Sequence, residues 1–342
     1  MRGTAWELLT VHPHDAAHWG ALRAALGLAV PALLLLTTGN LEHALPVTFG
    51  ALAGVYGRHA RYRARLRVQA GAGALLVGCV AAGTSAAALG VAALALLVPA
   101  LASGAGFLAA RRGGWLPPGS LFATFAAGAC AAHPRSWADV GAAVALSAAA
   151  AAFALLLGQA GALLPAGRRR PKRDVPAGPS VGEQVRDPAA RGDLLAHVLA
   201  PLLAGALATA AGGGHPYWAM VAAVAPLSVA GARDRLARSV HRVLGTLGGV
   251  ALAFALLSLE PSPLVTIVLA ALFQAWAELL VTRHYALAVV GITPLALLMV
   301  HLAVPVDPGS VAADRAVQTV LGSAVAVALV LLAPRGSAPA RR

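Results

Sequence analysis

Arg235, Arg238 and Arg242 follow one another at helical spacing, and a carboxylate, Glu278, stands inside a long apolar run. Residues three and four apart share a helix face. Guanidinium forks arranged in this way grip carboxylates bidentately and raise the local concentration of organic anions. Arg63 and Arg67 repeat the i, i+4 spacing earlier in the chain. The plainer reading of both clusters is contact with lipid phosphates at the inner face of a membrane. A carboxylate in hydrocarbon costs at least ~2.5 kcal/mol, so Glu278 must be paired, protonated or turned toward a cavity. Gln274 and Thr282, four residues to either side, complete a polar stripe with it. Its role is a proton-linked or substrate-linked carboxylate, or half of a structural pair, with Arg283 the nearest partner along the chain.

Other candidates lie in the same half. Tyr217 and Trp218 suit either stacking on an aromatic acid or an interfacial aromatic belt. Thr293-Pro294 should break its helix and free backbone groups, which is tolerated where protein or a cavity satisfies them. Asp314 and Arg315 read as an ion pair capping the start of the last span, or as an outer gate for an anion. Gly245 and Gly249 form a small-x3-small face whose default use is close helix packing. His43, His133, His215 and His301 on the outer side read either as proton-responsive groups or, as a lone histidine more often is, as structural residues. His12, His14 and His18 lack a matching acid or cysteine set, so no metal site is expected, and Cys79 and Cys130 read as small buried residues. The single lysine, Lys172, lies in an arginine run and not in a Gly-Lys-Ser/Thr loop, and no Gly-x-Ser-x-Gly elbow occurs; neither ATP hydrolysis nor any other enzyme activity or cofactor is expected.

The elements that must position these groups follow from composition. The chain has 342 residues, 59% hydrophobic and 11% charged, with mean hydropathy +0.75. Soluble domains run near 45–50% apolar and ~25% charged, and the 5% aromatic content does not suit a β-barrel with aromatic girdles. An all-α, polytopic transmembrane helix bundle remains. Apolar segments fall near 24–38, 44–57, 68–83, 86–110, 118–132, 140–164, 194–211, 216–231, 243–259, 264–281, 285–303 and 316–333, giving ten to twelve spans. Several are shorter than the ~20 residues needed to cross, so pieces such as 118–132 are expected to be broken, re-entrant or buried in the bundle. With the N-terminus inside, 24 basic residues fall on the inner side and only Arg135 and Arg315 outside, which argues for an even number of spans and both termini cytoplasmic. That placement explains the net charge of +13 without nucleic acid. The N-terminal stretch has no pattern of a cleavable signal. Residues 165–192, rich in Pro, Gly and charge, read as a flexible cytoplasmic linker between repeats at 1–164 and 193–342. At an offset of 175, Arg58, Arg63, Arg67, Val68 and Gly73 fall on Arg233, Arg238, Arg242, Val243 and Gly248. Six spans per half make these parallel repeats.

One ordered set of motifs carries a family resemblance: His215-Pro-Tyr-Trp; Arg238-Ser-Val-His-Arg-Val-Leu-Gly-Thr; Ala277-Glu-Leu-Leu followed by Arg283-His-Tyr-Ala-Leu and Ile292-Thr-Pro-Leu; and Asp314-Arg. Over about 190–333 the chain resembles the fusaric-acid-resistance-like (FUSC) family, which is similar to aromatic acid exporters and, more distantly, to aluminium-activated malate transporters. The first half matches only in layout, and the long cytoplasmic domain of many members is reduced to 165–192. The resemblance implies an exporter of small organic anions such as aromatic carboxylates, driven by an ion gradient and seated in the plasma membrane. A passive organic-anion channel and a non-transporting scaffold are the rivals. The partners expected are the lipid bilayer and the anion itself, with small-residue faces suited to a second copy of the chain.

Overall fold

In the computed structural model the chain is helical, with residues 17–133, 135–163 and 174–332 described and no β-strand among them. His12 and His14, and the basic run at 168–173, lie outside the described residues. The first half comprises α1 (His18–Thr38), α2 (Ala44–Ala51, extended by 3-10 turns to Leu41–Val55), α3 (Tyr62–Leu89), α4 (Leu94–Gly113), α5 (Ser120–Ala131) and α6 (Trp137–Ala160). A short helix, α7 (Val181–Arg186), precedes the second half. That half is α8 (Pro188–Ala210), α9 (Tyr217–Val224, continued by a 3-10 turn to Ser228), α10 (Ala232–Leu257), α11 (Pro263–Leu280), α12 (Tyr285–Ala303) and α13 (Pro308–Leu332).

All twelve apolar segments are present. Nine helices among the described residues are long and apolar enough to cross a membrane, and three, α2, α5 and α9, are shorter. In lipid every backbone polar group needs an internal partner, which makes helices the default wherever the chain meets hydrocarbon. Several helices run farther at their polar ends than hydropathy indicated: α3 opens at Tyr62, α10 at Ala232 and α13 at Pro308. Arginine is a good helix former, so these charged stretches are helical ends and not loops. The predicted break at Thr293-Pro294 is absent, since α12 continues through it. Its Pro294 sits within a helix that is two-thirds buried over its most apolar stretch, whereas every other long helix is less than half buried there.

The same pairs of elements pack in both halves. α3 lies on α5 and α6 as α10 lies on α12 and α13, α4 on α5 as α11 on α12, and α2 on α6 as α9 on α13. The halves meet through α1 against α11 and α4 against α8. The second and fifth elements of each half, α2, α5, α9 and α12, make the centre: α2 and α9 are buried at every residue, and most of α5 and α12 is buried as well.

The described part of the linker is packed against the first half. Gly114, left-handed at φ +59°, ends α4 and sits against Val175 and Pro176. Gly178 N–H donates to the Arg112 carbonyl at 2.8 Å, the Arg112 guanidinium returns a bond to the Gly178 carbonyl at 3.1 Å, and the Gln184 amide donates to Leu108 O at 3.2 Å. α7 opens with a reciprocal capping box between Ser180 and Glu183. Hydrogen bonds from the Ser180 hydroxyl and backbone N–H hold the Glu183 carboxyl below its ordinary range. A carboxylate with a depressed folded value stabilises only while ionised. The cap is therefore intact above the ordinary glutamate value and is lost as pH falls through the lower folded value. The Ser180 and Glu183 amides, which the box holds, are expected to lose protection relative to their intrinsic exchange rates across that acid window, and Ser180→Ala to shrink the pH step.

Candidate functional site

The three short helices have a consequence for the interior. At 1.5 Å per residue, elements of 12 to 15 residues cover only about two-thirds of a ~30 Å hydrocarbon layer. The rest of the depth is filled by irregular backbone and by space. A cavity of about 750 Å³ opens where these elements stop. The stretch after α2 (Gly57, Arg58, His59, Ala60), the stretch before α5 (Leu116, Pro117, Pro118) and the end of α9 (Ser228, Val229) all border it. Irregular backbone at membrane depth needs donors for its carbonyls. Arg65, buried at the start of α3, donates to the carbonyls of Gly57 (3.1 Å), Arg58 (3.0 Å), Ala60 (3.3 Å) and Gly158 (2.9 Å). The Gln69 amide serves Gly54 and Tyr56, each at 3.2 Å. In the second half Arg235 donates to the Val229 carbonyl at 3.1 Å.

The second half supplies the charge. Arg238 and Arg242 of α10 and Arg315 of α13 line the cavity around Tyr285. The Arg238 guanidinium lies 3.7 Å over the Tyr285 ring, and Arg242 donates to the Tyr285 hydroxyl at 3.3 Å. Arg242 is 2% and Arg315 1% exposed. Nε of Arg238 and of Arg242, and Nε and Nη1 of Arg315, find no hydrogen-bond partner within the protein. An unmet buried donor costs about 1–3 kcal/mol, more when charged, and converging like charges add to that cost. An anion in the cavity relieves both. Phe49, Phe122, Phe125, Leu295 and Met299 line the same cavity, an apolar surface of the kind that receives a ligand's hydrocarbon body.

Glu278 also borders the cavity, with Gln274 and Thr282 beside it as the predicted polar stripe. Its partner is Arg58 of the first half and not Arg283: the two side chains form an ion pair, both largely buried, and Arg58 also donates to the Glu278 carbonyl at 2.7 Å. The pair joins the irregular stretch after α2 to α11, so it bridges the two halves.

The remaining predicted residues separate. Arg63 and Arg67 are exposed and take no part in the cavity wall. Counted from the helix starts Tyr62 and Ala232, Arg65 falls on Arg235 while Arg238 and Arg242 fall on Val68 and Ala72. The arginine pairs at the 175-residue offset therefore do different jobs. Tyr217 and Trp218 are not interfacial; they are buried, Trp218 completely. They stand behind the cavity wall, with the Arg315 guanidinium 3.9 Å over the Trp218 ring. Thr293 is buried at a helix crossing, where a side chain at Gly249 would meet it, which bears out the packing role of that glycine face.

Asp314 and Arg315 do not pair with each other. α13 begins at Pro308 and Asp307 caps it, accepting from Ser310 N–H at 2.7 Å, so Asp314 lies in the second turn. It bonds His215 at 2.7 Å, Gly214 N–H at 3.2 Å and the Gln318 amide at 3.1 Å. His133 stands near, its ring 6.3 Å from that of His215. Arg315, one position on, faces the other way into the cavity. Arg58, which entered the sequence argument only as an inner-side charge and a repeat marker, and Arg65, which no motif marked, are site residues that the spacing of charges did not single out. A glutamate in an apolar run required an arginine somewhere, but sequence distance could not say that it would come from the other half.

Residues 203–329 match the family described as fusaric acid resistance protein-like. The match covers the stretch that carries Tyr217, Trp218, the α10 arginines, Glu278, Tyr285 and Arg315. No curated protein and no solved structure matches the chain. With nine helices among its described residues long and apolar enough to cross a membrane, this chain is a multi-pass membrane protein, and residues 203–329 of its second half are similar to the fusaric acid resistance protein-like family.

Proposed function

We propose that the protein moves small organic anions, aromatic carboxylate-like compounds among them, out across the plasma membrane through this cavity, using an ion gradient. The observation that carries the reading is the set of three arginines with unmet donors that, together with Tyr285, line a cavity of about 750 Å³ whose remaining lining is largely apolar. The carboxylate binds the guanidinium wall and the ring lies against the phenylalanines. The placement of arginines along the chain supports termini on the cytoplasmic side and a cavity that opens inward. The shared packing pattern of the two halves supports a parallel repeat, with short and proline-containing elements in corresponding positions bordering the site.

The test is efflux of benzoate from proteoliposomes with and without a pH gradient. Arg242→Ala is expected to lower the flux about tenfold or more, the loss of a charge-assisted hydrogen bond, whereas Arg67→Ala leaves it unchanged. Flux that ignores the gradient identifies a passive channel. Absence of flux for benzoate and for larger organic anions, with monodisperse protein, overturns transport in favour of a scaffold.

A further inference from the structure

We infer that the cavity is built for an anion carrying at least two negative charges on a body larger than one ring, so that a simple aromatic monocarboxylate is a poor fit. This rests on the organic-anion reading above and narrows it. Charge is the first ground. Arg238 and Arg242 contact one phenol, Tyr285, and Arg315 lines the same cavity, while the acids on or near its wall are committed elsewhere: Glu278 to Arg58, Asp174 to Arg61, and Asp314 to His215, Gly214 and Gln318. A single carboxylate accepts at two oxygens and offsets one charge. It leaves two guanidinium charges facing each other in a surrounding that screens poorly. A second anionic group on the same molecule answers the donors at Arg315 that the first cannot serve.

Size is the second ground. About 750 Å³ lies in the upper part of the ~300–1,000 Å³ range of pockets that enclose drug-sized ligands, and a lone benzoate would leave most of the apolar wall wet. The arginines occupy α10 and α13 while Phe49, Phe122 and Phe125 come from α2 and α5, so the ligand must reach from one half to the other to use both.

The test is binding to the full-length protein in nanodiscs at low ionic strength, with three probes: benzoate, 2-naphthoate and naphthalene-2,6-dicarboxylate. The dicarboxylate is expected to bind about tenfold or more tightly than 2-naphthoate, the worth of one further charge-assisted contact, and 2-naphthoate more tightly than benzoate. Arg315→Gln should remove the preference for the dicarboxylate while 2-naphthoate still binds. Arg238→Gln, at a partly exposed position, should reduce the preference without risk to the fold. Equal affinity for the two naphthalene acids, or a preference for benzoate, overturns this inference and leaves the organic-anion reading standing. Binding of none of the three overturns both.

Discussion

Glu278→Gln is expected to lower the stability of the folded protein by about 3–5 kcal/mol, because it removes the carboxylate whose negative charge offsets the largely buried Arg58 guanidinium. Both side chains of the pair are largely enclosed, and Arg58 cannot follow water, since it is also tied to the Glu278 carbonyl. Replacing both residues, Arg58→Met with Glu278→Leu, should recover most of the loss, as apolar groups of similar volume usually match or better a buried ion pair. Thermal unfolding of the two single variants and the double variant in one detergent measures the coupling directly. Additive losses would show that the pair does not hold the halves together. The same double variant separates structure from coupling. If it folds and still moves benzoate in response to a pH gradient, Glu278 is not the proton-linked carboxylate; if flux persists without gradient dependence, it is.

The second large effect concerns a helix crossing that recurs in both halves. α2 meets α6 at Gly50, where an added Cβ would run into the Ser147 carbonyl, and α13 meets α9 at Gly322, where it would run into the carbonyl of Ala219. The same crossing is closed by glycine in each half, from opposite partners. Backbone cannot step aside as a flexible side chain can, so Gly50→Ala and Gly322→Ala are each expected to cost about 1–3 kcal/mol or more through overpacking. Gly78→Ala is the control: the glycine is exposed on α3 with nothing near its missing Cβ, and alanine there should be neutral or stabilise by up to about 1 kcal/mol through helix propensity. Similar melting temperatures for all three variants would mean that these crossings are looser than their geometry.

The predicted and observed elements agree where one local rule decides and part where two distant segments meet. Segment 118–132 was too short to cross and is indeed buried, as α5. The boundaries at 68, 243 and 316 were placed too late, because hydropathy rejects arginine whereas a helix accepts it. Arg238 and Arg242 were placed on a shared face by their spacing alone, and they do share the cavity wall. Arg63 and Arg67 have the same spacing and face outward, since what lies opposite a helix face is not encoded in the helix. Thr293-Pro294 was expected to open α12, yet neighbouring helices pack tightly enough around it for the helix to run on.

Hydropathy, arginine placement and segment length are properties of single stretches, and they suffice to establish a helical membrane bundle of twelve apolar segments, several of them short; which three stay too short to cross was decided by how far the helices extend at their polar ends. Which arginine answers Glu278, whether Asp314 holds Arg315 or His215, and whether Trp218 lies at an interface or beneath a guanidinium are contacts between segments roughly 100 to 220 residues apart. Such contacts depend on how the helices cross, and one charge is chosen over another only by the geometry of desolvation in a packed interior. The cavity itself belongs to both levels: its existence follows from helices too short for the layer they occupy, and its charge from which sides of α10 and α13 the fold turns inward.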